Sequence, residues 1–194
     1  MARNETTTAD PWTHRAYFKR FCLNVEQYGE ILVAHVFRGT KKGDAQPCYD
    51  VETSDQNVRD GLLASGTPRA AVESCLSVLT DNTVRIEVKC KLAHTSAGNA
   101  SVIHCSDKKI KGKGHHLAAT HFAVVLFDGG GNGTAEQAWF FTAGLADQLR
   151  RKDTKSGYIP VSAVRKAARM GTDGLIDISS LINDAASSAL SVAG

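Results

Sequence analysis

Residues 84–92, VRIEVKCKL, alternate apolar and charged side chains along their whole length. The apolar positions are Val84, Ile86, Val88, Cys90 and Leu92, and the charged positions are Arg85, Glu87, Lys89 and Lys91. Because successive side chains of a β-strand point to opposite faces, this pattern predicts a strand with one face in the core and one row of charges. One carboxylate and three cations in a single row are more than a half-buried strand needs, so the row is a candidate for chemistry.

Helical and strand patterns are interleaved along the rest of the chain. Apolar residues spaced by three and four predict a helix over residues 13–37, and the last helices are predicted over residues 143–194. The other predicted strands are CYDVETS (residues 48–54), THFAVVLFDG (residues 120–129) and AEQAWFFTA (residues 135–143), the last two forming a hairpin. Helices interleaved with strands predict an α/β fold, with a mixed sheet flanked by helices.

The segment between CYDVETS and the charged strand is predicted to be a helical insert over about residues 55–81. Thr67 precedes Pro68, and this pair predicts a helix that Thr67 caps and that has a proline in its first turn. The insert resembles a helix-turn-helix unit only weakly, and a packing or dimerisation element is an equally good interpretation.

Length and composition describe one ordinary globular domain over residues 1–194. The chain is 42% hydrophobic and 22% charged, with a net charge of +3, and no apolar run approaches the length of about 20 residues that crosses a bilayer. The five cysteines, Cys22, Cys48, Cys75, Cys90 and Cys105, are odd in number and contain no C-x-x-C pair. With the polar start MARNETTTADPW, they predict a cytoplasmic protein with reduced thiols and no contact with a membrane.

Positive charge is concentrated in a few segments although the whole chain is nearly neutral. The segment SDKKIKGKGHH (residues 106–116) contains Lys108, Lys109, Lys111, Lys113, His115 and His116, and LRRKDTK and VRKAAR are two further basic segments. Clustered cations on glycine-containing loops are typical of contacts with phosphates, so we expect residues 106–116 to contact DNA. A solvated loop without a ligand is the alternative for each segment taken alone.

Glu87 and Lys89 are two residues apart on the predicted strand, so their side chains emerge on one face about 7 Å apart. A carboxylate there can bind a hard divalent cation, and a second carboxylate is then expected on a neighbouring strand. Asp50 supplies one if CYDVETS pairs with the charged strand, and Asp81, at the turn before that strand, is the rival. The alternative is a surface strand on which Glu87 only forms ion pairs with Lys89, Arg85 or Lys91.

The order of these segments resembles the PD-(D/E)XK nuclease superfamily, the fold of many restriction endonucleases. The matching segments are YGEILVAHVFRGTKK, PCYDVET, TVRIEVKCK and ATHFAVVLFDG with AWFF, and they cover about residues 28–141. Two departures are visible. Pro47 lies three residues before Asp50, whereas the family's proline directly precedes its aspartate, and the helical insert lengthens the interval from Asp50 to Glu87.

The resemblance implies a Mg²⁺-dependent DNA endonuclease that hydrolyses phosphodiester bonds, of the restriction type, acting on double-stranded DNA as a homodimer. Asp50, Glu87 and the main chain at Val88 would hold one or two Mg²⁺ ions, for which Mn²⁺ can substitute, and Lys89 would be the catalytic lysine. Glu30 resembles the accessory acidic residue of some members, and we expect Lys91 to contact a phosphate. The alternatives are a catalytically silent DNA-binding member and a nicking, repair or resolvase-like nuclease.

A zinc-stabilised interaction module is a further alternative. Seven potential soft ligands lie within 32 residues: Cys90, His94, His104, Cys105, His115, His116 and His121. Their spacing lacks the short knuckle of a typical zinc site, and Cys90 belongs to the apolar face of its strand. Buried packing is therefore the favoured interpretation of Cys90, and a place in the core or at a strand edge is favoured for His121.

Overall fold

Strands and helices alternate through the parts of the chain that the computed structural model describes, which are residues 17–18, 23–42, 48–93, 102–104, 118–129, 133–151 and 157–192. The strands in these ranges are β1 (Tyr17–Phe18), β2 (Leu23–Asn24), β3 (Thr40–Lys41), β4 (Val51–Ser54), β5 (Thr83–Leu92), β6 (Val102–His104), β7 (His121–Phe127), β8 (Ala135–Thr142), β9 (Tyr158–Pro160) and β10 (Leu175–Asp177). The helices are α1 (Val25–Val36), α2 (Asp55–Ala64), α3 (Arg69–Leu76), α4 (Ala143–Leu149), α5 (Val161–Arg169) and α6 (Ser179–Val192).

Within these described ranges, six strands form one mixed sheet in the order β10-β8-β7-β5-β4-β3. The central strands β5 and β7 are parallel, and the other neighbouring pairs are antiparallel. The predicted hairpin of β7 and β8 is confirmed, and so is the pairing of β4 with β5 across the helical insert. The protein therefore has an α/β fold with a mixed sheet flanked by helices.

The sheet is covered on both faces, and each face has its own core. Leu32 and Val88 belong to the core under α1, α2, α3 and α6, which we call the α1 side. Phe122 and Trp139 belong to the core under α4 and α5, which we call the α5 side. Because alternate residues of a strand face opposite sides, the apolar row of β5 packs on the α1 side and its charged row faces the α5 side.

Helix α1 begins at Val25, so the prediction of a helix from residue 13 is wrong for the described residues before it, which form β1 and β2. A capping box fixes this start: Gln27 N donates to Asn24 Oδ1 at 2.7 Å, and Asn24 N donates to Gln27 Oε1 at 3.4 Å. Gly29 lets the helix lie directly on β5, since a Cβ there would be 2.0 Å from Cys90 Sγ.

The predicted insert is confirmed as the helices α2 and α3 between β4 and β5. Ser54 caps α2 with its side chain. The prediction that Thr67 caps the second helix is wrong: α3 begins at Arg69, and Pro68 occupies the capping position without a side-chain hydrogen bond. The Thr67 hydroxyl instead lies 3.1 Å from the hydroxyl of Ser65.

Two short strands interrupt the region that the sequence predicted as helical from residue 143 onwards. Strand β9 precedes α5, and β10 precedes α6 and extends the sheet beyond β8. Each has three residues, which is too short for an alternating pattern to be recognised. Of the helices in the described ranges, none is long and apolar enough to span a membrane.

Candidate active site

The pairing of β4 with β5 places Asp50 beside the charged row. Asp50 directly precedes β4, and its N–H donates to Ile86 O at 2.9 Å. Val88 N then donates to Asp50 Oδ2 at 2.8 Å. The Asp50 carboxylate therefore accepts the hydrogen bond from Val88 N that a backbone carbonyl would otherwise accept. This bond holds Asp50 next to Glu87, the residue before Val88 in β5.

Glu87 and Lys89 form a buried ion pair on the α5 side. Lys89 Nζ lies 2.7 Å from Glu87 Oε1, and the Glu87 side chain is 0% exposed whereas that of Lys89 is 22% exposed. Burial by itself would lower the pKa of the Lys89 ammonium, but the negative charges of Glu87 and Asp50 outweigh it and raise that pKa above its usual range. Lys89 is thus a partly accessible positive charge that pairs with Glu87 and is also influenced by the negative charge of Asp50.

Glu30 borders this group from helix α1. Its carboxylate Oε2 lies 2.8 Å from Lys41 Nζ, in an ion pair that joins α1 to the edge strand β3. Burial raises the pKa of Glu30 and the charge of Asp50 raises it further, while Lys41 opposes both effects. Asp50 is therefore close enough to act on Glu30 as well as on Lys89.

Glu26 lies near the charged group of Asp50, Glu87, Lys89 and Glu30, and the sequence did not predict it as a site residue. It lies one turn before Glu30 on α1; its charge adds to those of Glu87 and Asp50 in raising the pKa of Lys89, and it opposes the burial that lowers the pKa of Lys91. The spacing of four residues between the two glutamates is the signal that would have identified it, because such residues share one helix face.

The oxygen atoms where the start of β4 meets β5 suit a hard cation. The N–H and C=O of one strand residue point to the same neighbouring strand, so the Val88 carbonyl is directed to the side where Val88 N meets Asp50. Asp50, Glu87 and this carbonyl are the kind of donors that Mg²⁺ takes together with water. Among the described residues, no three His, Cys, Asp or Glu side chains converge as a metal-binding group, and Glu30 is in an ion pair with Lys41.

Asp81, the rival for Asp50, lies at the opposite end of β5. It is six residues before Glu87, a distance of about 20 Å along an extended strand. Its carboxylate lies 3.1 Å from Arg85 NH1 and accepts a hydrogen bond from Thr83 N, and these two partners lower its pKa. Asp81 is therefore engaged in closing the turn before β5, away from Lys89.

The ion pair that the purely structural alternative predicted for Glu87 is present, but it is not on the surface. Arg85 pairs with Asp81, and the partner of Glu87 on its own strand is Lys89, so the carboxylate is fully buried and only the Lys89 side chain is partly exposed. Burying a carboxylate and an ammonium costs several kcal/mol per ion, so such pairs are poor devices for stability. The burial therefore weakens the structural interpretation.

The predicted DNA contacts fall into two groups. Lys91 lies on the same face of β5 as Lys89 and is half-buried, and burial lowers its pKa. The other predicted contacts lie outside the described residues: Lys108, Lys109, Lys111, Lys113, His115 and His116.

Two of the potential zinc ligands lie in unrelated surroundings. Cys90 is buried against Gly29 of α1, and burial raises the pKa of its thiol well above the usual range. His121 is buried on the α1 side, with Nε2 2.9 Å from Cys75 O and Nδ1 2.9 Å from Thr120 Oγ1. Both are occupied by packing or hydrogen bonds. The remaining candidates, apart from His104 in β6, lie outside the described residues.

No family model matches the sequence, and no curated protein shows a significant match to it.

Proposed function

We propose that the protein is a Mg²⁺-dependent DNA endonuclease of the PD-(D/E)XK type, with Asp50, Glu87 and Lys89 as its catalytic residues. The observation that supports this most is the hydrogen bond from Val88 N to Asp50 Oδ2 at 2.8 Å. It brings one acid from β4 beside the acid–amine pair of β5, which is the arrangement that metal-assisted phosphodiester hydrolysis requires.

Each residue would have a distinct task. Asp50, Glu87 and the Val88 carbonyl would hold one or two Mg²⁺ ions, and Mn²⁺ would be accepted at the same oxygen donors. When bound, the metal supplies an acidified water and stabilises negative charge on phosphoryl oxygens. Lys89 would place its ammonium against the phosphate or orient the attacking water, since it is the member of the buried pair that reaches solvent.

The proposed substrate is double-stranded DNA, and the proposed enzyme is of the restriction type. Lys91 extends the row of cations beyond Lys89, and the lysines and histidines of residues 106–116 would add phosphate contacts. Such contacts fix the position of the duplex without choosing a sequence. Cleavage of both strands at one place takes two active sites, so we propose a homodimer.

Cleavage of supercoiled plasmid with and without Mg²⁺ tests the proposal. The wild-type protein is expected to cut only when Mg²⁺ is present. Glu87→Ala and Lys89→Ala are each expected to abolish cutting while DNA binding is largely kept, because both residues act on the scissile phosphate. The matched control is Glu73→Ala, which removes an ion-paired glutamate from the surface of α3, where it contacts Arg59.

The outcomes separate the candidate functions. Cutting that survives both Glu87→Ala and Lys89→Ala would refute the site. Binding of DNA by the wild-type protein without any cutting would identify a catalytically silent member. Conversion of plasmid only to the nicked circle would favour the nicking, repair or resolvase-like alternative.

A further inference from the structure

Helix α5 has a strongly basic surface that the proposed catalytic site does not use. Arg165, Lys166 and Arg169 form this surface, which we call the α5 basic face, while Val161 and Val164 are buried beneath it. The helix contains no acidic residue. Within the described part of the chain, none of the ion pairs involves these three cations, whereas Lys41, Lys42, Arg59, Arg85 and Lys89 are all paired with carboxylates.

The α5 basic face lies on the same side of the sheet as the catalytic residues. Arg165 Nε donates to Gln137 Oε1 at 2.7 Å, and Gln137 of β8 is the register partner of Leu126 of β7. Leu126 is in turn the register partner of Lys91 on β5. Lys91 and Gln137 are therefore two strand spacings apart, about 10 Å, in one row across the sheet. Arg165 therefore lies on the same face of the sheet as Lys91, at the level of a strand two places away.

We propose that the α5 basic face binds the phosphate backbone of the DNA duplex whose scissile bond lies at Asp50, Glu87 and Lys89. This inference rests on the proposed nuclease function and adds a positioning surface to it. Cations without acidic partners complement a polyanion, and two of them, Lys166 and Arg169, are exposed at the end of the helix. Because they contact phosphates, these residues position the duplex and do not select its sequence.

A purely structural role for the same residues makes a different prediction. Lys166 and Arg169 lie in the last turn of α5, where a positive charge interacts favourably with the helix dipole. If that were their only task, neutral replacements would lower the thermal midpoint and leave DNA affinity as it was. Binding measured at several salt concentrations separates the two roles, because each phosphate contact contributes about 0.9 to the slope of log K against log salt.

The experiment is titration of a DNA duplex without Mg²⁺, across a range of salt, with the wild-type protein, Lys166→Gln, Arg169→Gln and the double variant. Each single change is expected to lower the slope by about 1 and the double change by about 2. The double variant is expected to bind roughly tenfold more weakly at moderate salt. Arg69→Gln is the matched control, because it removes an exposed arginine from α3, which packs on the α1 side; its slope should equal that of the wild-type protein.

Failure of this inference is distinguishable from failure of the proposed function. If the wild-type protein binds and cuts DNA but the double variant keeps the wild-type slope, the α5 basic face does not contact the duplex and the catalytic assignment stands. An equal loss of slope in Arg69→Gln would also overturn it, since the effect would then be general electrostatics. If the wild-type protein binds no DNA, both proposals fail together.

Discussion

Glu87 and His121 occupy nearly the same place in the sheet, yet their surroundings are opposite in character. His121 of β7 is the register partner of Ile86, so Glu87 is only one residue further along β5, and both side chains are 0% exposed. Glu87 faces the α5 side and His121 faces the α1 side. The comparison shows how one fold buries a charged group on one face and a neutral polar group on the other.

His121 is buried without a charge. Desolvation lowers the pKa of its ring from 6.5 to about 4, so the ring is neutral at physiological pH. Each ring nitrogen has a partner at 2.9 Å, and the ring stacks on Phe140 with centroids 4.8 Å apart. Every polar atom of this residue is thus used to fix α3 and the start of β7 in place.

Glu87 is buried in an ion pair with Lys89, and Lys89 is the only member of the pair that reaches solvent. With Lys89 and nearby Asp50, Glu87 forms a group of three charged side chains at the start of β4. Apolar residues would stabilise a core at least as well, because the attraction within a buried ion pair rarely offsets the free-energy cost of desolvating its two charges. Under the proposed function, this buried ion pair on the α5 side serves the reaction, whereas His121 on the α1 side serves the fold.

The largest expected effect comes from neutralising the pair while its volume is kept. The double change Glu87→Gln with Lys89→Met is expected to lower the rate of plasmid cleavage by roughly 10³-fold or more, since it removes a metal ligand and the ammonium together. The free energy of unfolding should change little, because the desolvation cost of the two charges disappears while a polar amide stays buried in place of the carboxylate. Cleavage kinetics and denaturant unfolding of the same preparations measure both.

His121→Gln is the control on the other side of the sheet. It should cut DNA at nearly the wild-type rate per folded molecule, although it unfolds more easily. If it lost cleavage as completely as the double variant while staying folded, the division into a chemical and a structural side would be wrong.

Removal of one charge of the pair is expected to cost more stability than removal of both. Lys89→Met alone leaves Glu87 buried without its ammonium, which typically costs about 3–5 kcal/mol in the free energy of unfolding. Adding Glu87→Gln should recover most of that loss. Denaturant unfolding of both variants measures the two free energies. Equal stabilities for the single and double variants would show that Lys89 does not offset the cost of burying Glu87.

The histidine on the α1 side should make stability depend on pH. Below pH 6.5 the His121 ring binds a proton in the unfolded chain, but in the folded protein it stays neutral until the pH reaches about 4. The free energy of unfolding therefore falls as the pH falls through this range. The loss is roughly 3 kcal/mol in total. Denaturant unfolding of the wild-type protein and of His121→Gln is measured from pH 7 to 4. The part of the fall in unfolding free energy that comes from His121 should be present in the wild-type protein and absent from the variant. Parallel curves would contradict a neutral buried ring.

The smallest effect concerns the contact between α1 and β5. Gly29→Ala places a Cβ against Cys90 Sγ and is expected to lower the free energy of unfolding by about 1–3 kcal/mol. Gly29→Ala with Cys90→Ala should be more stable than Gly29→Ala alone, because the second change removes the clashing sulfur. Thermal unfolding of the three proteins provides the measurement, and an unaffected Gly29→Ala variant would mean that α1 lies further from the strand.

The sequence predicted those parts of the molecule in which the local pattern is long. The alternation over residues 84–92 gave β5 and its two faces, and the apolar run after residue 120 gave β7. Asp50 could supply a second carboxylate near Glu87 only if β4 paired with β5, and the structure shows that pairing.

The remaining features depend on interactions between residues distant in sequence. The bond from Val88 N to Asp50 joins residues 38 positions apart, and no local pattern contains it. The start of α1 was missed because a local capping box at Asn24 outweighs apolar spacing that continues before it. Strand β10 forms because β8 offers it a free edge, and three residues carry no periodicity of their own.

The rate of Mg²⁺-dependent DNA cleavage by Asp50→Asn, compared with Asp81→Asn, tests most directly whether two acids from neighbouring strands share a metal ion. Both changes remove one carboxylate and keep the side-chain volume. We predict that Asp50→Asn loses about 10³-fold or more in rate, and that Asp81→Asn stays within a few-fold of the wild-type protein. Full activity in Asp50→Asn, or an equal loss in Asp81→Asn, would contradict the proposed active site.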